Sequence, residues 1–577
     1  MINFMEEYRR WLDSPALSEN EWKELNDIEN DEDEIKSRFF APLEFGTAGL
    51  RGIMGMGLNR MNRHVVRHAT QAFASVISAE GEEAIQKGVI ICYDCRENSE
   101  SFARTAACVM AANGISVRLF DALRPTPELS FAIRKYGAIA GINITASHNP
   151  REYNGYKVYW ADGAQLPPKH AQAIADAMGR IDIFTGIKRM VFSEAVDSGL
   201  IQSIGTETDE SFLENVLTQA IDRDTVARVA DQFKIVYTPF HGAGHKLVPE
   251  ALRRLGIKHI FPVPQQMVID GSFPTVKSPN PEEPAGFYLA IELAKRVGSD
   301  LIIGTDPDSD RVGVMVRDDK GEYVTISGNQ TGVLLLDYII NARKRVGTLP
   351  ENAAAIKTIV TTEMAREVAQ RNGVHIEDTF TGFKFMAEKI AEFEKTNSFR
   401  YIFAYEESYG YMIGDYVRDK DAVTASMLIA EMAAHYFELG MTLLQAINSL
   451  YEKYGYFAEK TLNLVMPGID GLEKMQALMK KLREAPPSEI SDVKVLRERD
   501  YASGKIIVPG LGFVDKTHIV GSNVLYFELE DDTAFIVRPS GTEPKIKIYI
   551  LVSGENRQDC DEKIIKYVSY AENLRSV

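Results

Sequence analysis

The chain has 577 residues, 45% of them hydrophobic and 25% charged; that is more than one core needs, so several domains are expected and a disordered protein is excluded. A formal net charge of −17 at pH 7 argues against nonspecific binding to nucleic acid or anionic membrane, both of which draw on basic surface. Four cysteines exclude a disulfide scaffold at this size, and with no apolar signal core and no stretch long enough to span a bilayer, a cytoplasmic protein is expected.

Residues 19–34 are strongly acidic and read as a solvated helix face. The first glycine-rich loop, Phe45-Gly46-Thr47-Ala48-Gly49-Leu50-Arg51-Gly52, sets an arginine among glycines, as for an arginine aimed at a transferring phosphoryl group. Apolar runs at 89–93, 142–145, 235–237, 301–303, 356–360 and 401–403 read as strands. Each precedes a polar loop and usually a helical pattern, the grammar of α/β domains. In such sheets ligands gather at the carboxyl ends of strands, so chemistry is sought in the loops that follow. Cys92 and Cys95 would put their sulfurs on opposite faces of the first run, and no second pair completes a zinc site.

After the run at 142–145 comes Ala146-Ser147-His148-Asn149-Pro150. The lipase-type elbow does not match, and adjacent Ser and His are not expected to face each other for proton transfer. After 301–303 comes Gly304-Thr305-Asp306-Pro307-Asp308-Ser309-Asp310-Arg311. Alternate aspartates share one face of an extended segment, and three like charges there call for a cation; oxygen-only ligands suit Mg2+. An EF-hand is excluded because Arg311 and Arg317 stand at its sixth and twelfth positions. Opposite such a loop, Ser147 reads as a phosphoryl carrier whose phosphate oxygen completes the metal shell.

Tyr405-Glu406-Glu407-Ser408-Tyr409-Gly410 offers carboxylate and hydroxyl groups suited to the vicinal hydroxyls of a sugar, with Thr381-Gly382-Phe383-Lys384 adding to the same wall. The last loop, Arg538-Pro539-Ser540-Gly541-Thr542-Glu543-Pro544-Lys545, combines a planar guanidinium fork, two hydroxyls and a glycine that lets backbone N–H groups approach a phosphate. Gly242-Ala243-Gly244 lacks the third glycine of a dinucleotide fingerprint, and no Walker motif occurs.

Boundaries are read at the polar stretch 196–209, at 317–322 as a turn or linker, and at 451–459. The resulting division is 1–205 with the phosphoserine loop, 206–320 with the metal loop, 321–455 with the sugar loop, and 456–577 with the phosphate loop. The fold class is α/β: three α/β domains with mixed sheets, of similar size and open to a reading as divergent copies, plus a C-terminal α+β domain with strands at 533–537 and 546–552.

Together the five loops resemble the α-D-phosphohexomutase superfamily, closest to its phosphoglucomutase members, in the family's order and over nearly the whole chain. Arg124-Pro125-Thr126-Pro127, Asn154-Gly155-Tyr156-Lys157 and Arg418-Asp419-Lys420-Asp421 add to the likeness. The resemblance implies a heart-shaped enzyme with a central cleft. It implies phosphorylation of Ser147 and a Mg2+ site of Ser147, Asp306, Asp308 and Asp310. Glu406 and Ser408 would read sugar hydroxyls, with Thr47, Thr381 and Gly382 beside them. Arg538, Ser540, Gly541, Thr542 and Lys545 would hold the idle phosphate. Arg51, His148, Lys157, Arg311 and Lys420 would line the transfer site, with Lys157 or His148 as proton acceptor.

The implied reaction interconverts glucose 1-phosphate and glucose 6-phosphate through glucose 1,6-bisphosphate. The implied partners are small sugar phosphates, with the enzyme a monomer or weak dimer. Two departures stand out: Gly410 occupies a position where some relatives carry His, which puts phosphomannomutase-type proton transfer there in doubt, and Tyr405 stands where Gly is common. Phosphopentomutase is the main rival. An aspartyl-nucleophile phosphatase is disfavoured by Asp310, and a noncatalytic sugar-phosphate sensor by Ser147 beside a metal loop.

Overall fold

The computed structural model describes residues 3–47, 49–466, 471–540 and 545–574. The first sheet contains β1 (Leu50–Ile53), β2 (Val89–Tyr93), β3 (Val117–Phe120), β4 (Ala140–Ile144), β5 (Tyr153–Trp160) and β6 (Ile201–Ile204), ordered β1-β5-β4-β2-β3-β6. The second contains β7 (Lys234–Thr238), β8 (His259–Pro262), β9 (Leu301–Thr305), β10 (Val312–Arg317) and β11 (Tyr323–Ile326), ordered β11-β10-β9-β7-β8. The third contains β12 (Ala353–Thr358), β13 (His375–Thr379), β14 (Arg400–Glu406) and β15 (Gly410–Met412), ordered β13-β12-β14-β15.

One arrangement recurs: β3-β2-β4-β5, β8-β7-β9-β10 and β13-β12-β14-β15. In each, three parallel strands are followed by one antiparallel return. β2, β4 and β9 are buried along their whole length, which is why their sequences run apolar without alternation. An antiparallel return needs no crossover helix, so a short loop caps the carboxyl end of β4, β9 and β14. Each of these loops is turned by a non-glycine residue in the left-handed region: Ser147 at φ 54°, Ser309 at 51° and Tyr409 at 63°. The serine, aspartate and sugar loops therefore occupy equivalent places in three units of one topology.

The C-terminal sheet is different, with eight strands and antiparallel pairing throughout. Ala534–Pro539 and Lys545–Gly554 are neighbours in it, and the helix Arg557–Asn573 follows. Leu525–Leu529 alternates buried and half-buried side chains, as expected for a sheet with one covered face.

Four local expectations are revised. Segment 317–322 closes the β10–β11 hairpin, with Arg317 paired to Tyr323; it is no linker, and the second sheet runs on to Ile326. The polar stretch 196–209 contains β6, an edge strand paired with β3. The acidic stretch 19–34 is revised only in number: its exposed and half-buried acidic residues lie mainly on two helices, Glu19–Asn26 and Glu32–Phe39, which bury Leu25 and Ile35. Cys95 lies beyond the end of β2, so strand alternation does not place it; Cys92 is buried with its thiol 3.3 Å from the Arg124 carbonyl.

The C-terminal sheet carries a charged group at odds with its core. Glu498 is fully buried with both carboxylate oxygens unpartnered, and burial, followed by Asp500, pushes its carboxyl up to about 7. A raised acid pKa means the folded chain holds a proton that the unfolded chain has lost between pH 4.5 and 7, so this stabilisation declines as pH rises through that window. Glu498→Gln is expected to stabilise this domain at pH 8 by about 1–3 kcal/mol, with little difference at pH 4.5. Thermal unfolding at the two pH values checks it.

Candidate active site

The serine loop is built on a strained turn with a buried support. The Ser147 N–H donates to Thr145 Oγ1 at 2.8 Å, and Ser147 is 4% exposed. Arg96, from the loop after β2, donates to the carbonyls of Ser147 and Asn149 at 2.5 Å each, of Pro150 at 2.9 Å and of Tyr153 at 3.1 Å. Its Nε faces Asp94 at 3.2 Å. Sequence reading passed over Arg96, although it too follows a parallel strand. Its partners are backbone carbonyls, and these leave no motif.

The turn at Ser147 also folds its side chain against the next one, with Oγ and His148 Nδ1 3.1 Å apart. The expectation that adjacent Ser and His cannot face each other is thus wrong here, because a left-handed residue reverses the chain between them. Burial, Arg311 and Arg51 hold the His148 imidazole well below its usual pKa.

Ser147 Oγ donates to Asp306 Oδ2 at 3.0 Å, joining the loops of the first two sheets. Donor oxygens of Asp306, Asp308 and Asp310 lie within 4.8 Å of one another, all buried. Asp306 Oδ1 accepts the N–H groups of Asp310 and Arg311, each at 3.0 Å. Oδ1 of Asp308 and Oδ1 of Asp310 are buried without a hydrogen-bond partner. Burial and the Asp308 charge push the Asp306 carboxyl well above the usual range. Burial would raise Asp308 too, but the Lys157 ammonium outweighs it and holds that carboxyl low. Converging oxygens, two of them orphaned, fit a hard divalent cation.

Lysines approach the same cluster from the first and third units. Lys157 Nζ lies 2.7 Å from Asp308 and 3.5 Å from Asp310; Lys420 Nζ lies 3.2 Å from Asp310. Burial would lower both ammoniums, but the facing aspartates hold both above the ordinary lysine value. Asp419, given no role in the sequence reading, steadies Lys420 at 3.1 Å and is itself held by Tyr159 at 2.9 Å and Gln165 at 3.1 Å. Thr126 clamps the metal loop, donating through its N–H to the Asp308 carbonyl and through Oγ1 to Asp308 Oδ2, each at 2.8 Å.

Arg311 links the metal and sugar loops, donating to the Ser408 carbonyl at 2.9 Å and to Glu282 at 3.0 Å. Glu406 Oε1 accepts the Gly382 N–H, so Thr381, Gly382 and Glu406 form one wall. Lys384 reaches Thr47 at 2.9 Å and ties that wall to the first glycine loop. Arg51 is exposed and donates to Asn149 at 3.1 Å. Tyr405 points away from the cleft into the core; a Cβ at Gly332 would come within 2.1 Å of its ring.

Gly410 has a steric reason. A Cβ there would lie 2.4 Å from Lys420 Cδ and 3.0 Å from the Phe383 ring, so its absence opens the path of the lysine. Gly410→Ala is expected to displace Lys420 and lower turnover by about 10–100-fold with a smaller change in KM, as steady-state kinetics would show.

In the C-terminal sheet, Arg538 pairs in register with Lys547 and contacts Tyr549, and the Ser540 N–H donates to the Lys545 carbonyl at 2.8 Å. Burial and Glu406 push the Glu407 carboxyl up to about 7, against the lowering pull of nearby Lys547, a residue also missed in the sequence. This hairpin therefore faces the sugar loop. Gly541 and Thr542 lie outside the described residues. Carboxylates for a cation, a buried serine, cationic side chains and a second basic loop can together hold and move a phosphoryl group.

The alpha/beta/alpha domains I, II and III described for phosphoglucomutase/phosphomannomutase match residues 42–183, 210–321 and 327–454. A Staphylococcus haemolyticus protein named phosphoglucomutase is 34% identical over 531 residues, covering 92% of this chain and 94% of its own. A Staphylococcus aureus (strain USA300) protein of that name is 33% identical over 563 residues, covering 96% of this chain and 97% of its own. Among solved structures, the open form of Paramecium pp63/parafusin, a phosphoglucomutase, has a TM-score of 0.66 at 18% identity, covering 92% of this chain and 94% of its own. A phosphoglucomutase/phosphomannomutase family protein from Burkholderia thailandensis has a TM-score of 0.66 at 18% identity, covering 92% and 97%. At such identity the structural likeness speaks for the fold alone.

Proposed function

This chain belongs to the phosphoglucomutase/phosphomannomutase family, and from that premise we propose that it is a phosphoglucomutase. It interconverts α-D-glucose 1-phosphate and glucose 6-phosphate through phosphorylated Ser147 and glucose 1,6-bisphosphate. The observation that carries this reading is the 3.0 Å contact between Ser147 Oγ and Asp306, which sets a buried serine against a cluster of carboxylates suited to a cation.

Ser147 and Asp306, Asp308 and Asp310 would hold Mg2+, which when bound neutralises charge on the phosphoryl oxygens. Lys157, Lys420 and Arg311 surround the transfer point as fixed cations, and Arg51 stands at its rim. Glu406 and Ser408, with Thr47, Thr381 and Gly382, orient the sugar. Arg538, Ser540, Gly541, Thr542 and Lys545 hold the phosphate not in transfer. In the first transfer the bond from phosphorus to Ser147 Oγ breaks, a bond to the sugar hydroxyl forms, and the hydroxyl proton leaves to a base. Lys157 or His148 would take it and return it to the freed Ser147 Oγ, from which His148 Nδ1 lies 3.1 Å away. The bisphosphate then reverses in the cleft, and Ser147 accepts the other phosphoryl group. The four-domain division expected from the sequence is retained, with the second domain extended to Ile326 by the β10–β11 hairpin.

Kinetics on glucose 1-phosphate and ribose 1-phosphate, with peptide mass spectrometry of the Ser147 region, test the reading. A higher kcat/KM on the glucose ester and a phosphate on Ser147 are expected. Preference for the pentose ester overturns the substrate assignment in favour of a phosphopentomutase, and turnover without a phosphorylated serine overturns the mechanism.

A further inference from the structure

Apart from the reaction site, the first domain holds a basic cavity of about 660 Å³ between the helices Arg63–Ala79 and Ser99–Ala112 and residues 189 and 190. Its walls include Arg67, Arg104 and Arg189 with a single carboxylate, Glu100. That carboxylate is already taken by Arg104, at 2.8 Å. Arg67 is half-buried, and neither it nor the exposed Arg189 makes a hydrogen bond or ion pair among the described residues. Burial and the repulsion of Arg63 and Arg189 depress the Arg67 guanidinium. Glu21 attracts Arg67 from a distance, but its ion pair goes to Arg63.

Two unpaired guanidiniums, half-buried Arg67 and exposed Arg189, repel each other beside Arg104, and a bound anion would relieve that repulsion. Guanidinium forks match phosphate oxygens in shape. Thr105 adds a hydroxyl, while Val109 and Met190 add apolar wall, and the volume suits a small organic molecule. Arg96 also lines the cavity, and it is the same residue that holds the Ser147 and Asn149 carbonyls.

We propose that this cavity is a second binding site, separate from the reaction cleft, for a small organic phosphomonoester held by Arg67, Arg104 and Arg189. Titration calorimetry with 3-phosphoglycerate as the probe tests it on the full chain. Wild type is compared with Arg67→Ala/Arg189→Ala and with Arg538→Ala, which alters the cleft instead. Binding is expected in wild type, retained in Arg538→Ala, and weakened at least about tenfold in the double variant. The double variant keeps its turnover of glucose 1-phosphate within about twofold, since neither side chain reaches the cleft. Should it fail to fold, Arg189→Ala alone, at an exposed position, is expected to weaken binding in the same direction. Absence of binding in wild type, equal binding in wild type and the arginine variants, or loss of binding in Arg538→Ala overturns the proposal.

Discussion

Ser147→Ala is expected to lower turnover of glucose 1-phosphate by at least about 10⁴-fold while leaving the chain folded. In the proposed mechanism this hydroxyl carries the phosphoryl between the two transfers: it donates to Asp306, whereas Thr126 Oγ1 is committed to Asp308 and Thr145 Oγ1 to the Ser147 N–H. The turn should survive, because Arg96 holds it through carbonyls that alanine retains. Alanine in the left-handed region at φ 54° is strained much as serine is, by about 1 kcal/mol. A coupled assay with circular dichroism separates lost chemistry from lost fold. Residual activity above a hundredth of wild type would sink the phosphoserine mechanism.

Asp308→Asn is expected to combine two losses. It removes the partner that Lys157 holds at 2.7 Å, leaving that buried ammonium with Asp310 at 3.5 Å. Breaking one side of a buried ion pair costs about 3–5 kcal/mol, so the thermal midpoint should fall. It also removes one of the three converging carboxylates, and turnover should fall by about 10³-fold. Chelation should abolish wild-type activity and added Mg2+ restore it; in Asp308→Asn, added Mg2+ should restore little. Full rescue of the variant by Mg2+ would show that Asp308 is dispensable to the site.

The residues that sequence reading found share one property: their chemistry is local. Asp306, Asp308 and Asp310 declare themselves by spacing, and Ser147, Glu406 and Arg538 by loops that follow apolar runs. Arg96 and Lys547 went unnoticed, and Thr126 and Asp419 stood in quoted motifs without a role, because their partners are distant in sequence. Arg96 serves carbonyls 51–57 residues away, and Thr126 serves an aspartate 182 residues away. The expected isolation of Ser147 from His148 failed for a related reason. Side-chain approach across one peptide depends on φ, which residue type only biases.

The sequence by itself determined the inventory and its order. Apolar runs buried on both faces make parallel strands, three of their carboxyl-end loops carry the serine, the aspartates and the Glu406 group, and these with the first glycine loop and the last hairpin carry the resemblance to sugar-phosphate mutases. Tertiary structure alone decided that three sheets share one strand order, so that the serine, aspartate and sugar loops stand at equivalent corners. It decided that Lys157 and Lys420 reach one carboxylate cluster from separate sheets, and that Gly410 is small to let Lys420 through. The physical reason is range: burial patterns and turn chemistry act over a few residues, whereas the site's charges balance only when loops more than a hundred residues apart meet.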